Sequence, residues 1–284
     1  MSLRHVPKLK SMNKFILLFP IVAFCASNCA AQNEEPRRVQ LGVRAMVGGS
    51  YLMGAFDAMD DYSIGNDALP DFCVETLPTV GGGLSMTATV RQHWSIETGL
   101  YYQMRGAHME EDFCWFSWDD EPDYLAWRKT DAILHYVKVP VLLRFSHQIG
   151  TRPLAWEAKV GPYVSVAAGG RSHTTTKVAR DDIYDHPFPI RSVTSKHKSH
   201  DLFDDKEMEN ALNTDNEGVT RHIRYGSRRM DCGITLGGGV TFWHRLYVGV
   251  ENDLGILSVM KLSGEGESHK LRNETFSLVV GYNF

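Results

Sequence analysis

The stretch His135-Tyr136-Val137-Lys138-Val139-Pro140-Val141-Leu142-Leu143-Arg144-Phe145-Ser146 decides the fold. Val137, Val139, Val141, Leu143 and Phe145 fall on one parity, and Tyr136, Lys138, Pro140, Leu142 and Arg144 on the other. Successive side chains of a strand point to opposite faces, so this stretch makes a strand with one apolar face and one face that carries charge.

Outward from it, the same alternation recurs in seven further segments: Val39 to Met53, Thr79 to Arg91, His93 to Arg105, Leu154 to Arg171, Met230 to Trp243, Arg245 to Val259 and Glu274 to Phe284. A soluble sandwich shows this alternation too. Two features argue for a membrane barrel instead. The segments reach about ten residues, the length a tilted strand needs to cross a bilayer, whereas globular strands run to about five or six. The connections also alternate in length. Residues 54–78, 106–134 and 172–229 are long and 260–273 are of medium length, while the turns at Gln92, 147–153 and His244 are short. The expected fold is an all-β, eight-stranded, antiparallel up-and-down transmembrane barrel with long external loops. Closure removes the sheet edges that lipid cannot satisfy.

In such a barrel the apolar faces meet lipid and the polar faces point inward. The expected interior charge network is Arg44, Glu97, Lys138, Arg144, Glu157, Lys159, Asp231, Glu251 and Asp253. It reads either as an ion or proton path or as a salt-bridged plug. The narrow bore of eight strands favours the plug, in which opposite charges offset each other's desolvation.

Composition agrees. Of 284 residues, 43% are hydrophobic and 11% aromatic, too many for a disordered chain. A mean hydropathy of -0.25 excludes a bundle of membrane helices. With 30 basic and 34 acidic residues there is no basic excess, so nucleic acid is not an expected partner. Residues 1–31 have the order of a secretory signal peptide: Lys8, Lys10 and Lys14, an apolar run from Phe15 to Phe24, then Cys29-Ala30-Ala31. Met12 is an alternative start, because the residues before it add little. Asn28 before Cys29 and Phe24 before Cys25 argue against a lipidated cysteine. The expected domain is 32–284, with 26 basic against 34 acidic residues and a formal charge of -8. Its cysteines are Cys73, Cys114 and Cys232. An oxidising compartment permits a disulfide between Cys73 and Cys114, which sit in the first and second long loops. Cys232 is expected to face lipid as a small apolar residue.

Several stretches resemble PorT-like outer-membrane β-barrel proteins. Tyr136 to Phe145 is similar to that family's fourth strand, and Val160-Gly161-Pro162-Tyr163 to its next. Asp231-Cys232-Gly233-Ile234-Thr235-Leu236-Gly237-Gly238-Gly239-Val240 resembles its Asp-aromatic-Gly strand, with Cys232 in the aromatic's place. Glu251 to Ile256 and the final Val280-Gly281-Tyr282-Asn283-Phe284 also fit. The resemblance covers most of 39–284 outside the long loops. It implies an eight-stranded porin-type barrel in a Gram-negative outer membrane, with a terminal Phe284 of the kind read by the barrel-assembly machinery. Some members serve protein secretion.

Candidate chemistry is sparse. Gly81-Gly82-Gly83 and Gly237-Gly238-Gly239 lack the flanking Lys-Ser/Thr of a phosphate loop and read as bends or close approaches. His173, His186, His197, His200 and His222 fall in the third long loop without a metal-binding motif, so neither metal nor cofactor is expected. Asp204 to Asn213 suits a short external helix with a solvated face. Thr174 to Val178 and Val219 to Tyr225 suit outward strand extensions. The second loop carries Phe113, Trp115, Phe116, Trp118, Tyr124 and Trp127. Trp115, Phe116, Trp118, Tyr124 and Trp127 are candidate surface-binding aromatics. The competing reading is an interfacial girdle with loop self-packing.

No Gly-x-Ser-x-Gly elbow is present, and His135 or His93 beside a serine is the only enzymatic arrangement suggested. The expected protein is therefore a non-enzymatic outer-membrane barrel with a structural or surface-binding role, in an envelope or protein-secretion assembly. A small-solute channel is the first alternative and a lipid-modifying enzyme the second. Expected partners are outer-membrane lipid, the assembly machinery during biogenesis, and envelope proteins.

Overall fold

A computed structural model describes residues 39–54, 72–115, 123–150, 153–181, 192–213, 224–263 and 268–284. The expected signal peptide lies outside them. Eight strands form the ring: β1 (Val39–Met53), β2 (Phe72–Arg91), β3 (Trp94–Trp115), β4 (Asp123–Gln148), β5 (Leu154–Asp181), β8 (Met230–Phe242), β9 (Leu246–Gly255) and β11 (Ser268–Asn283). Each pairs antiparallel with the next in that order, and β1 closes on β11 from Gly42↔Asn283 to Met53↔Arg272. Outside the ring lie β6 (Ser192–Asp201), helix α1 (Asp205–Asn213), β7 (Arg224–Ser227) and β10 (Met260–Ser263).

The register gives the geometry. Ladder partners lead from Val39 to Ala88, Ile96, Leu143, Val160, Leu236, Asn252, Phe276 and back to β1 at Gly49. The circuit returns ten residues higher than it began, from 39 to 49. Eight strands with that shift tilt by about 40°, so each residue climbs about 2.5 Å along the axis.

Burial is inverted relative to a soluble protein. Leu84 and Leu100 are 65% and 56% exposed, while Arg105 and Asp231 are fully buried. Apolar side chains clothe the outside because lipid is their solvent, and the charges point inward. From Trp156 to Val166 the outward apolar band of β5 covers eleven residues, or ten steps and about 25 Å of height, which matches an outer-membrane hydrocarbon layer. At the short-turn end Trp94, Phe145 and Trp156 form a girdle, with ring centroids 4.9 and 5.3 Å apart. The β8–β9 turn has positive φ at Trp243 (50°) and His244 (60°), and the Arg245 amide donates to the Phe242 carbonyl at 3.0 Å. This is the primed turn that suits the twist of a tight hairpin.

At the other end the described parts of the expected long loops are largely strand. β2, β3 and β4 run on through parts of 54–78 and 106–134. β5 continues to Asp181, including Thr174 to Val178, and pairs there with β6, which the sequence did not suggest. β9 stops at Gly255 rather than Val259, and the chain then forms β10 against β11 and β7. Inter-strand hydrogen bonds let these segments continue above the membrane, where side-chain alternation no longer has to match lipid and so loses its signature. The expected external helix is α1. Its face is not purely solvated, because Met208 is buried.

Candidate functional site

The lumen is the most elaborate polar site in the described residues, and it is built in two charge layers. Nearer the short turns, Lys159 Nζ sits 2.6 Å from Glu251 and 3.4 Å from Glu97. Arg44 and Arg144 each lie 3.7 Å from Glu97, and Arg144 also pairs with Glu157. Arg44 donates to Asn283 Oδ1 at 2.9 Å. The ring of Tyr247 receives both Lys159 (4.5 Å) and Arg44 (5.2 Å). This layer holds three cations, Arg44, Arg144 and Lys159, and three carboxylates, Glu97, Glu157 and Glu251. Two glycines leave room for it: a Cβ on Gly281 would lie 2.2 Å from Arg44 Nη1, and one on Gly237 would press on Glu251 and Lys159.

Nearer the outer mouth, Arg105 donates to Asp231 at 3.0 Å, to Asp253 at 2.7 Å and to Gln103 at 2.7 and 3.0 Å. Lys138 donates to both oxygens of Asp253 at 2.6 and 2.7 Å, and Thr235 to one of them at 2.6 Å. Tyr163 and Asn273 donate to Asp231 at 3.2 and 3.3 Å. Arg105 also lies against the rings of Tyr136 and Tyr163. This layer holds two cations and two carboxylates. Each layer is therefore neutral by itself, the condition under which buried charges offset one another's desolvation.

The structure thus places all nine expected interior residues inside the barrel and divides them between the layers. The sequence reading missed Arg105, the hub of the outer layer. Its polar parity with Gln103 was visible, but it stands at the last position before the expected loop at 106.

Above the outer layer the lumen ends in an apolar cap. Leu52, Ala107, Ala132, Leu134, Tyr136, Ala167 and Leu271 of the ring pack with Leu202, Met208 of α1, Tyr225 of β7, Val259 and Met260. The described parts of this lid, 202–213 and 224–227, are pinned by side-chain hydrogen bonds. Tyr225 donates from its hydroxyl to the Leu202 carbonyl at 3.0 Å, and Ser227 donates to Asp205 from both amide and hydroxyl at 3.0 and 2.8 Å. His200 contacts Glu207 at 3.1 Å. Leu202, Met208 and Tyr225 were present in the sequence but scattered through the expected loop 172–229, which has no strict periodicity.

The remaining candidates sit elsewhere. His173, His197 and His200 belong to strands β5 and β6 rather than to a solvated loop, and His197 meets Thr175 at 2.9 Å. His186 and His222 lie outside the described residues. Among the described residues no three His, Cys, Asp or Glu side chains converge as a metal site. His135 Nδ1 meets Tyr102 OH at 2.6 Å on the lipid-facing surface, and His93 Nδ1 meets the Ser146 carbonyl oxygen at 3.2 Å, so neither is seen with a serine hydroxyl. Of the candidate aromatics, Trp115 stands opposite Tyr124 and Trp127 opposite Asp112 at the tips of β3 and β4, with side chains outside the described residues, as are Phe116 and Trp118 entirely. The Cys73 and Cys114 side chains are also outside them. The backbone ladder sets Cys73 opposite Glu110, four residues from Cys114, or about 13 Å along the strand. A disulfide between them would need the ladder tip to leave this register. Above the membrane on β3, His108 is held between Asp131 and Glu110, and Lys129 pairs with Glu110. Asp131 first, then Glu110, raises the His108 imidazole above its ordinary range, while Lys129 and then His108 hold Glu110 below the usual carboxylate range.

The family model described as outer membrane protein β-barrel domain matches residues 30–261. No curated protein matches the sequence significantly. Similar solved structures include the attachment invasion locus protein Ail of Yersinia pestis, at 10% identity over 87% of this chain and 100% of that one, with a TM-score of 0.30. They also include OprG of Pseudomonas aeruginosa, at 11% identity over 86% and 95% with a TM-score of 0.34. A third is the N-terminal β-barrel domain of Pseudomonas aeruginosa OprF, at 10% identity over 88% and 100% with a TM-score of 0.25.

Proposed function

Because the chain belongs to the outer membrane protein β-barrel domain family, we propose that it works as a sealed, non-enzymatic barrel that presents its extramembrane strands at the surface of a Gram-negative outer membrane. The observation that carries this reading is the filled lumen: two neutral ion-pair layers lie under an apolar cap. A diffusion path needs continuous water, and an eight-stranded bore packed with side chains leaves none to spare. The upper parts of β2 to β5, with β6 paired to β5, then provide the surface on which envelope or secretion partners act. The PorT-like resemblance supports the secretion branch of this proposal. The residues that carry it, Tyr136, Lys138, Arg144, Tyr163 and Asp231, are the lumen-facing positions of β4, β5 and β8. Export by a signal peptide within 1–31, and insertion by the assembly machinery through Phe284, complete it.

The test is single-channel recording of the refolded protein in a planar bilayer. The expected result is electrical silence. Stable stepwise conductance from the native protein would replace this reading with that of a small-solute channel.

A further inference from the structure

The small sheet β7–β10–β11 sits where the apolar surface ends. Met260 and Leu271 stand opposite each other and are buried in the cap, so the next ladder pair, Lys261 and Lys270, faces outward. On β7 the buried Tyr225 fixes the inner face, which turns Arg224 and Gly226 outward, and Arg228, just past the end of the strand, is exposed beside them. Arg272 lies two residues beyond Lys270 on the same face of β11. All five cations are exposed, and among the described residues none of the five side chains has an ion-pair partner.

Two details are unusual for a structural surface. Like charges placed directly opposite on adjacent strands destabilise a sheet, yet Lys261 and Lys270 are such a pair. On β3 and β4 above the membrane, by contrast, Lys129 is paired with Glu110, and His108 with Asp131 and Glu110. In addition, open space lies over Gly226, which stands opposite Lys261 and has Arg224 and Arg228 two residues to either side. The face is therefore a shallow cradle with cations around an empty centre.

Height identifies the occupant. Arg272 is the ladder partner of Met53, whose side chain is exposed and apolar, and Lys270 lies about 5 Å higher. The cations thus begin at the edge of the apolar band and occupy the headgroup depth, where they continue the lipid-facing surface. We propose that the outer face of β7–β10–β11 binds the phosphate groups of an outer-leaflet lipid headgroup, with Lys261, Lys270 and Arg272 as the main ligands and Arg224 and Arg228 beside the cradle.

The experiment uses the full barrel folded in an uncharged maltoside detergent, with a bis-phosphorylated glucosamine lipid as probe and native mass spectrometry counting retained lipid. Folding of every variant is checked first by its unheated gel mobility. The K261Q/K270Q/R272Q variant is expected to retain the probe at least about tenfold less than the native protein, because each surface cation contributes roughly fivefold to binding an anionic headgroup. K129Q, whose lysine is paired, is expected to retain it fully. Retention by the native protein should fall as salt is raised, a readout that holds even if the triple variant fails to fold. Equal retention by the variant and native proteins overturns the proposal, as does indifference to salt. So does equal retention of the dephosphorylated lipid. Displacement of the lipid by inorganic phosphate at the same concentration would mark a free-anion site and overturn the assignment to lipid.

Discussion

At the scale of residues, Arg105 holds more of the lumen than any other side chain, because it alone joins Asp231 to Asp253. In Arg105→Met, Lys138 still neutralises Asp253 but Asp231 keeps only neutral donors. Stranding a buried charge costs about 3–5 kcal/mol, and the urea midpoint, read by heat-dependent gel mobility, should fall accordingly. Adding Asp231→Asn restores the balance of the layer, so the double variant should be more stable than R105M alone. Strict additivity of two losses would mean the pair is not coupled. His108 gives a pH prediction. Its folded pKa is raised by Asp131 and Glu110, so its contribution is complete below the unfolded imidazole value of about 6.5 and is lost as pH rises through the higher folded value. Protection of the β3–β4 tip amides, corrected for the base-catalysed intrinsic exchange rate, should therefore fall on going from mildly acidic to alkaline pH, and His108→Gln should abolish that slope. A slope that persists in H108Q would assign it to another group.

At the scale of elements, the lid is held by packing and local hydrogen bonds, with the Leu202 amide donating to the Gly170 carbonyl as its tie to the ring. Leu202→Ala removes a fully enclosed side chain from the cap, a change that costs about 2–5 kcal/mol. The expected outcome is faster hydrogen exchange across 202–213 and 224–227, with β8 and β9 unchanged. Exchange that quickens equally in the ring would show that lid and barrel unfold as one unit. The outer ribbon illustrates why elements were only partly legible. β4 was read from His135 onward because Val137 to Phe145 must alternate against lipid. Its continuation through Asp123 to Leu134 follows the same ladder with β3 and β5 but stands above the lipid, so no strict pattern was imposed on it.

At the scale of the whole molecule, closure joins β1 to β11, residues more than two hundred positions apart, and makes every ring strand a neighbour of two others. The sequence by itself determined the eight ring strands, the lipid-facing parity, the side of the short turns and the nine interior charges. All of these follow from one local rule, that a strand with lipid on one side must alternate with period two. Only the tertiary structure decided how the charges divide into neutral layers, that Arg105 joins Asp231 to Asp253, that 202–213 and 224–227 fold back as an apolar lid, and that five cations gather on one face beside the membrane. Those facts depend on the ten-residue shift around the ring and on contacts between distant segments, and period-two alternation carries no information about which strands meet or at what height.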